Sequence, residues 1–203
     1  MNNDNFSFHF YPIIDSISWL EILIQNKVPL SQYRVKKTPS QLLENEIKQA
    51  IALAQKHNHC LIINDYWQLA LKYNAYGIHL GYEDSQQADL KKIKDKHLVL
   101  GLSTHDNEEL QYAIEKKPTY IALGPIFPTT TKKMRFSPQG LEKIALWREK
   151  IPQNIKLVAI GGISLSQSAD IYKYGANCIS VVSDIAKASN PHERLQQWLM
   201  SQI

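Results

Sequence analysis

At 203 residues, with 44% hydrophobic and 21% charged side chains, the chain has the balance of one globular domain with a sizeable core, which excludes a disordered or fibrous protein. Its formal charge of +4 is mild, and even the densest lysine run, KKIKDK at 91–96, contains an acid, so the lysines read as solvated helix faces and no nucleic-acid groove is expected. No apolar stretch reaches the length of a membrane span and no leader pattern opens the chain, while Cys60 and Cys178 sit in apolar runs. A cytoplasmic protein with free buried thiols and no membrane partner is expected.

In chain order, residues 1–8 read as a polar, flexible lead-in. The first β-rich run is FYPII (10–14), followed by apolar residues at helical spacing in SISWLEILIQ. LSQYR (30–34) is the second run, and LLENEIKQAIALAQ after it again has helical spacing. Further β runs are CLIIN (60–64), GIHL (77–80), LVLGLS (98–103), YIAL (120–123), KLVAI (156–160) and CISVV (178–182). Many are apolar on both faces, as in a parallel sheet covered on both sides. An open doubly wound sheet would need fewer strands; eight β-then-α units predict a compact single-domain (β/α)8 TIM barrel spanning residues 1–203. Residues 125–139 form the one long connection, and a long loop in a compact domain is commonly functional.

Polar residues gather where these strands end. Strand 2 runs into Gln32-Tyr33-Arg34-Val35-Lys36, whose alternating polar side chains share one side of an extended segment. Strand 3 ends in Asn64-Asp65, and strand 4 in His79-Leu80-Gly81 with Glu83 and Asp84 just beyond. Strand 5 brings Ser103-Thr104-His105, strand 6 the loop GPIFPTTTKK (124–133), strand 7 Gly161-Gly162 and strand 8 Ser183-Asp184. Barrel active sites are assembled from these C-terminal strand ends.

Arg34 and Lys36 are either solvated charges or phosphate ligands, and Gln32 in phase with them favours the second. Asn64-Asp65 either caps the next helix or, with Asp84 at the equivalent point of the neighbouring strand, forms a hard oxygen site suited to Mg2+. Two aspartates without a histidine cluster argue against zinc. His79 is open between a base and a buried structural histidine, and His105 is a poor catalytic candidate. Gly161-Gly162 is either a turn or, with the serine after strand 8, a backbone phosphate cup. Three kinds of anion-binding equipment at one mouth suit two phosphorylated ligands, one of them a pyrophosphate.

YPIID (11–15), QYRVK (32–36), INDYWQLALKYNAYGIHLGYED (63–84), GLSTHD (101–106), ALGPIFPTTTKKM (122–134), SPQGL (137–141), AIGGIS (159–164) and VVSDI (181–185) together resemble the thiamine phosphate synthase family over essentially the whole chain. That resemblance implies a (β/α)8 transferase with Mg2+ as cofactor. Its small-molecule substrates would be hydroxymethylpyrimidine pyrophosphate and a thiazole phosphate (or its carboxylated form), and its products thiamine phosphate and pyrophosphate. It further implies Gln32, Arg34, Lys36, Asn64, Ser103 and Lys132 for the pyrimidine substrate, and Asp65 and Asp84 for the metal. Thr129, Thr131, Gly162, Val182 and Ser183 would hold the thiazole phosphate, with Tyr33, Val35 and Thr130 beside these ligands. Lys132, Arg34 and Lys36 would act catalytically by neutralising the leaving group. Tyr82, Lys37 and Asp184 depart from the family's usual residues, and a carboxylate at Asp184 must turn away from the phosphate cup to be harmless. A thiazole tautomerase on the same fold would dispense with the metal and pyrophosphate equipment and require a histidine base, and a phosphate-sensing barrel would need affinity alone. Both a monomer and a homo-oligomer remain open.

Overall fold

The computed structural model describes residues 6–35, 40–129 and 136–201, with the side chains of Ser40 and Gln41 excepted. Eight parallel strands close into a barrel in sequence order: β1 (Phe10–Ile14), β2 (Leu30–Tyr33), β3 (Cys60–Asn64), β4 (Gly77–Leu80), β5 (Val99–Thr104), β6 (Tyr120–Leu123), β7 (Lys156–Ile160) and β8 (Cys178–Val181). Helices on the outside follow the strands in turn. Ile17–Gln25 follows β1, Ser40–Lys56 β2, Trp67–Lys72 β3, Tyr82–Gln87 and Leu90–Asp95 β4, and Asn107–Glu115 β5. Gly140–Lys150 follows β6, a 3-10 turn Leu165–Gln167 and the helix Ser168–Lys173 follow β7, and Ser183–Ala186 and Pro191–Met200 follow β8. Several helices start on side chains able to accept from exposed backbone N–H groups: Asp106 Oδ1 from Glu109 N at 3.0 Å, Asp89 Oδ1 from Lys92 N at 2.9 Å and Asn190 Oδ1 from Glu193 N at 3.2 Å.

Strand alternation sorts the side chains into two cores. Outward residues such as Phe10, Leu61, Ile63, Ile78, Leu100, Leu102, Ile121, Leu157 and Ile179 pack under the helices together with Trp147 and Trp198. Inward residues Tyr11, Leu30, Ile62, Val99, Tyr120, Ala122, Val158 and Cys178 fill the barrel interior. The Tyr120 ring uses space opened by Gly101, where a Cβ would lie 2.0 Å from its Cζ. Burial raises the pKa of Tyr11, Tyr120 and Cys178, so this interior stays uncharged.

The expectation of a lead-in over residues 1–8 fails at Phe6. Its side chain is 2% exposed and stacks on Tyr120 at 4.8 Å between ring centroids, with Phe8 edge-on at 5.4 Å. An aromatic residue displaced from the polar residues before it finds apolar surface at the N-terminal mouth of the barrel and closes it. Cys178 is buried as expected; Cys60 is only half-buried, and both thiols are free. Among the described residues no helix is long and apolar enough to cross a membrane.

Candidate active site

One register step above the apolar interior, the inward positions turn polar. Gln32, Asn64, His79 and Ser180 are all buried, and Ser103 is half-buried. Pairing sets Ile13 beside Gln32, Asn64 beside His79, Ser103 beside Ala122 and Ile160 beside Ser180, and all of these residues lie toward the C-terminal end of the sheet. They floor a cavity of about 760 Å³. No strand end could supply so much alone; closure of the barrel brings residues from distant parts of the chain together.

On one side of this cavity stand Arg34, Asn64, Asp65 and Asp84. Burial lowers the pKa of Arg34, and the nearby Asp65 carboxylate opposes that shift, so the guanidinium keeps its charge. Asp65 has left-handed backbone at φ +67, with its N–H donating to the His79 carbonyl at 2.9 Å. Such a conformation costs energy for a non-glycine residue and recurs at functional sites. The helix that follows takes Tyr66 as its N-cap, so neither Asn64 nor Asp65 occupies the N-cap position. Asp84 lies exposed at the rim in the first turn of Tyr82–Gln87.

Across the barrel, Gly161, Gly162, Val182, Ser183 and Thr129 line the same cavity. The two glycines have φ of +97 and +69. The loop after β6 docks on this segment at close range: Phe127 N donates to Gly161 O at 3.0 Å and Ile126 N to Ile160 O at 2.9 Å. A Cβ on Gly162 would lie 2.5 Å from Pro128 O and 2.6 Å from Phe127 O. Gln139 N to Pro125 O at 2.8 Å and Gly140 N to Ile126 O at 3.0 Å pin the returning limb of that loop.

The cavity thus gathers Gln32, Arg34, Val35, Asn64, Asp65, Asp84, Ser103, Thr129, Gly162, Val182 and Ser183. Lys36, Thr130, Thr131 and Lys132 lie outside the described residues. Tyr33 is a correction: strand alternation turns its side chain away from Gln32 and Arg34, into the core beneath the helix Ser40–Lys56, where its hydroxyl donates to Glu46 Oε1 at 2.7 Å. Asp184 does not line the cavity; its Oδ2 accepts from Trp198 Nε1 at 2.8 Å. His79, left open by the sequence, and His105 are both engaged. His79 lies 2.9 Å from the Tyr120 hydroxyl through Nδ1 and 2.8 Å from Ser103 Oγ through Nε2, which makes it a support for Ser103. His105 Nδ1 is 2.7 Å from Glu109 Oε2, and its ring stacks on Phe136 at 4.5 Å.

Asp15 and Trp19 are among the lining residues to which the sequence assigns no role. Asp15 directly follows β1, and its position at a strand end was a usable signal. Trp19 sits one turn into the next helix, where helical periodicity marks it only as core.

The thiamine monophosphate synthase family model matches residues 10–185. The chain belongs to the thiamine monophosphate synthase family. A thiamine-phosphate synthase of Citrobacter koseri is 45% identical over 194 residues, covering 96% of this chain and 92% of the relative. One from Photorhabdus laumondii is 47% identical over 189 residues, covering 93% and 87%. Among solved structures, thiamine phosphate pyrophosphorylase from Pyrococcus furiosus superposes with a TM-score of 0.80 over 96% of this chain and 95% of its own, at 24% identity, a likeness of fold. As a thiamine monophosphate synthase family member the chain is an enzyme, a transferase. Its cavity sits at the C-terminal face of the barrel, where barrel active sites are assembled.

Proposed function

We propose that the protein joins hydroxymethylpyrimidine pyrophosphate to a thiazole phosphate, or its carboxylated form, giving thiamine phosphate and pyrophosphate. The observation that supports this reading is a single cavity with polar groups gathered on two opposite sides. Arg34, Asn64, Asp65 and Asp84 come from the β2–β4 side, and Gly162, Val182 and Ser183 from the β7–β8 side. In an eight-stranded barrel β3 and β4 stand opposite β7 and β8, so two phosphorylated ligands can face one another across the interior.

Gln32, Arg34, Lys36, Asn64, Ser103 and Lys132 would hold the pyrimidine pyrophosphate. Thr129, Thr131, Gly162, Val182 and Ser183 would hold the thiazole phosphate. Asp65 and Asp84 fit Mg2+: both are hard oxygen donors lining one cavity. Two carboxylates completed by water and ligand phosphates are the habit of Mg2+. The metal would supply charge neutralisation at the pyrophosphate.

The pyrimidine C–O bond breaks with its electron pair going to the pyrophosphate, and the electron-rich aminopyrimidine stabilises the methylene cation left behind. Arg34, Lys36 and Lys132 meet charge that grows on the leaving group, an interaction stronger in the transition state than in the bound substrate. The thiazole nitrogen then forms the new C–N bond with its lone pair. It loses no proton, so no general base is required, consistent with His79 and His105 both being committed to neighbours. The two opposed anion sites bring the rings together and supply the advantage of proximity. Both substrates carry charged phosphates that do not cross membranes, which supports action in the cytoplasm.

The test is chromatography of reactions containing purified protein, Mg2+ and either or both substrates. Thiamine phosphate is expected only with both. Isomerisation of thiazole phosphate alone, or product binding without turnover, would replace the proposal with a tautomerase or a sensor.

A further inference from the structure

We infer that Asp184 is a positioning residue that sets the shape of the Gly162–Ser183 phosphate cup from behind. The inference rests on the proposal that this cup holds the thiazole phosphate.

Asp184 directly follows Ser183, whose side of the cup faces the cavity, yet its own side chain does not line that cavity. The carboxylate instead reaches toward two other segments. Its Oδ2 accepts from Leu165 N at 3.3 Å, three residues beyond Gly162, and from the Trp198 indole at 2.8 Å. Arg194 Nη1 stands 3.8 Å away. One oxygen therefore joins the loop after β7, the short helix after β8 and the helix Pro191–Met200. The side chain is only 15% exposed, so these contacts are sheltered from water.

The Leu165 arm is stiff. Ser164 N and Oγ both donate to Gln167 Oε1, at 2.8 and 2.9 Å, locking the 3-10 turn that begins at Leu165. Only Ile163 and Ser164 separate this locked turn from Gly162. On its other flank, Gly161 is held by Phe127. The glycine segment is thus fixed at both ends, by backbone on one side and by Asp184 on the other. The trio of Trp198, Leu165 and Arg194 also answers how a carboxylate tolerates a neighbouring anion site: its hydrogen-bonding oxygen is engaged away from the cavity by donors and offset by a cation. Severing the arm frees the glycine segment to move relative to Ser183, and the two halves no longer meet a phosphate together.

Steady-state kinetics of Asp184→Ala and Asp184→Asn, varying each substrate in turn, test this. In Asp184→Ala the thiazole phosphate KM should rise about tenfold, as for loss of a sheltered charge-assisted hydrogen bond, with kcat and the pyrimidine KM little changed. Asp184→Asn keeps an oxygen able to accept from Trp198 and Leu165, and should restore most of the lost affinity. Should the alanine variant not fold, Asp184→Glu carries the test, since its carboxylate lies one methylene beyond the donors. An unchanged or lowered thiazole phosphate KM overturns the inference, as does an equal rise in both KM values, which marks general loosening. Failure of the underlying proposal looks different: the wild-type protein itself would then show no saturation by thiazole phosphate.

Discussion

Gly162→Ala probes the cup where its geometry is tightest. The residue has φ +69, and the added Cβ would fall 2.5 Å from Pro128 O and 2.6 Å from Phe127 O. Even a weak C–H···O contact needs about 3.3 Å, so the loop after β6 or the glycine segment must move by roughly 0.8 Å. The left-handed backbone adds about 1–2 kcal/mol for any L side chain. For a chain of this size that corresponds to a Tm lower by roughly 2–8 °C, leaving the barrel folded at assay temperature. Function should suffer more than stability. The displaced loop carries Thr129, and misplacement by about 1 Å costs up to about a hundredfold in an oriented reaction. We expect kcat/KM for thiazole phosphate to fall roughly 10–100-fold while the pyrimidine KM moves little, read from initial rates with each substrate varied and a thermal melt in parallel. A lowered Tm with wild-type kcat/KM for thiazole phosphate would refute the reasoning, because the cup would then tolerate a shift that the phosphate contacts cannot.

Asp84→Ala should remove most turnover with little loss of stability, since its side chain is exposed at the rim; full activity of the wild type in excess chelator would sink the two-aspartate Mg2+ site. Thr131→Ala should mainly raise the thiazole phosphate KM, whereas Lys132→Ala should lower kcat by roughly a hundredfold; if the lysine variant instead weakened only thiazole binding, Lys132 would belong with the threonines. His59 offers a pH test away from the cavity: buried against Ser31 Oγ at 2.7 Å and the Val28 carbonyl at 2.9 Å, its pKa is pushed down from 6.5 to about 4 by desolvation. The unfolded chain then takes up the proton first, so His59's contribution is complete above pH 6.5 and fades as pH falls toward 4, at about 1.4 kcal/mol per pH unit. Urea melts of wild type and His59→Gln at pH 7 and 4.5 should show the gap between them narrowing in acid; a constant gap would disprove the assignment.

The eight strands were legible because each is a short apolar run followed by polar residues, and the structure returns them within a residue or so at each end. The cavity was legible for a related reason: polar side chains gather at the C-terminal strand ends, where a barrel's mouth opens. What escaped was set by contacts between distant segments. Tyr33 shares a strand end with Gln32 and Arg34, yet alternation sends its ring outward to Glu46. Phe6 follows a polar stretch and gives no periodic signal, but the barrel bottom offers it Tyr120. The sequence marked Asp184 as out of place without saying where it would turn; the partners, Trp198 and Leu165, lie 14 residues after and 19 residues before it. His79 could not be assigned until Gly101 was seen to admit the Tyr120 ring that supports it.

The central claim is spatial: two anion sites on opposite walls of one cavity serve two ligands at once. A crystal structure of the protein with Mg2+, thiamine phosphate and pyrophosphate tests it most directly. Pyrophosphate density is expected beside Arg34 and Asn64 with the metal on Asp65 and Asp84, and a separate phosphate against Gly162 and Ser183. Pyrophosphate lodged in the glycine cup, or a single phosphate site with the Arg34 side left to water, would contradict it.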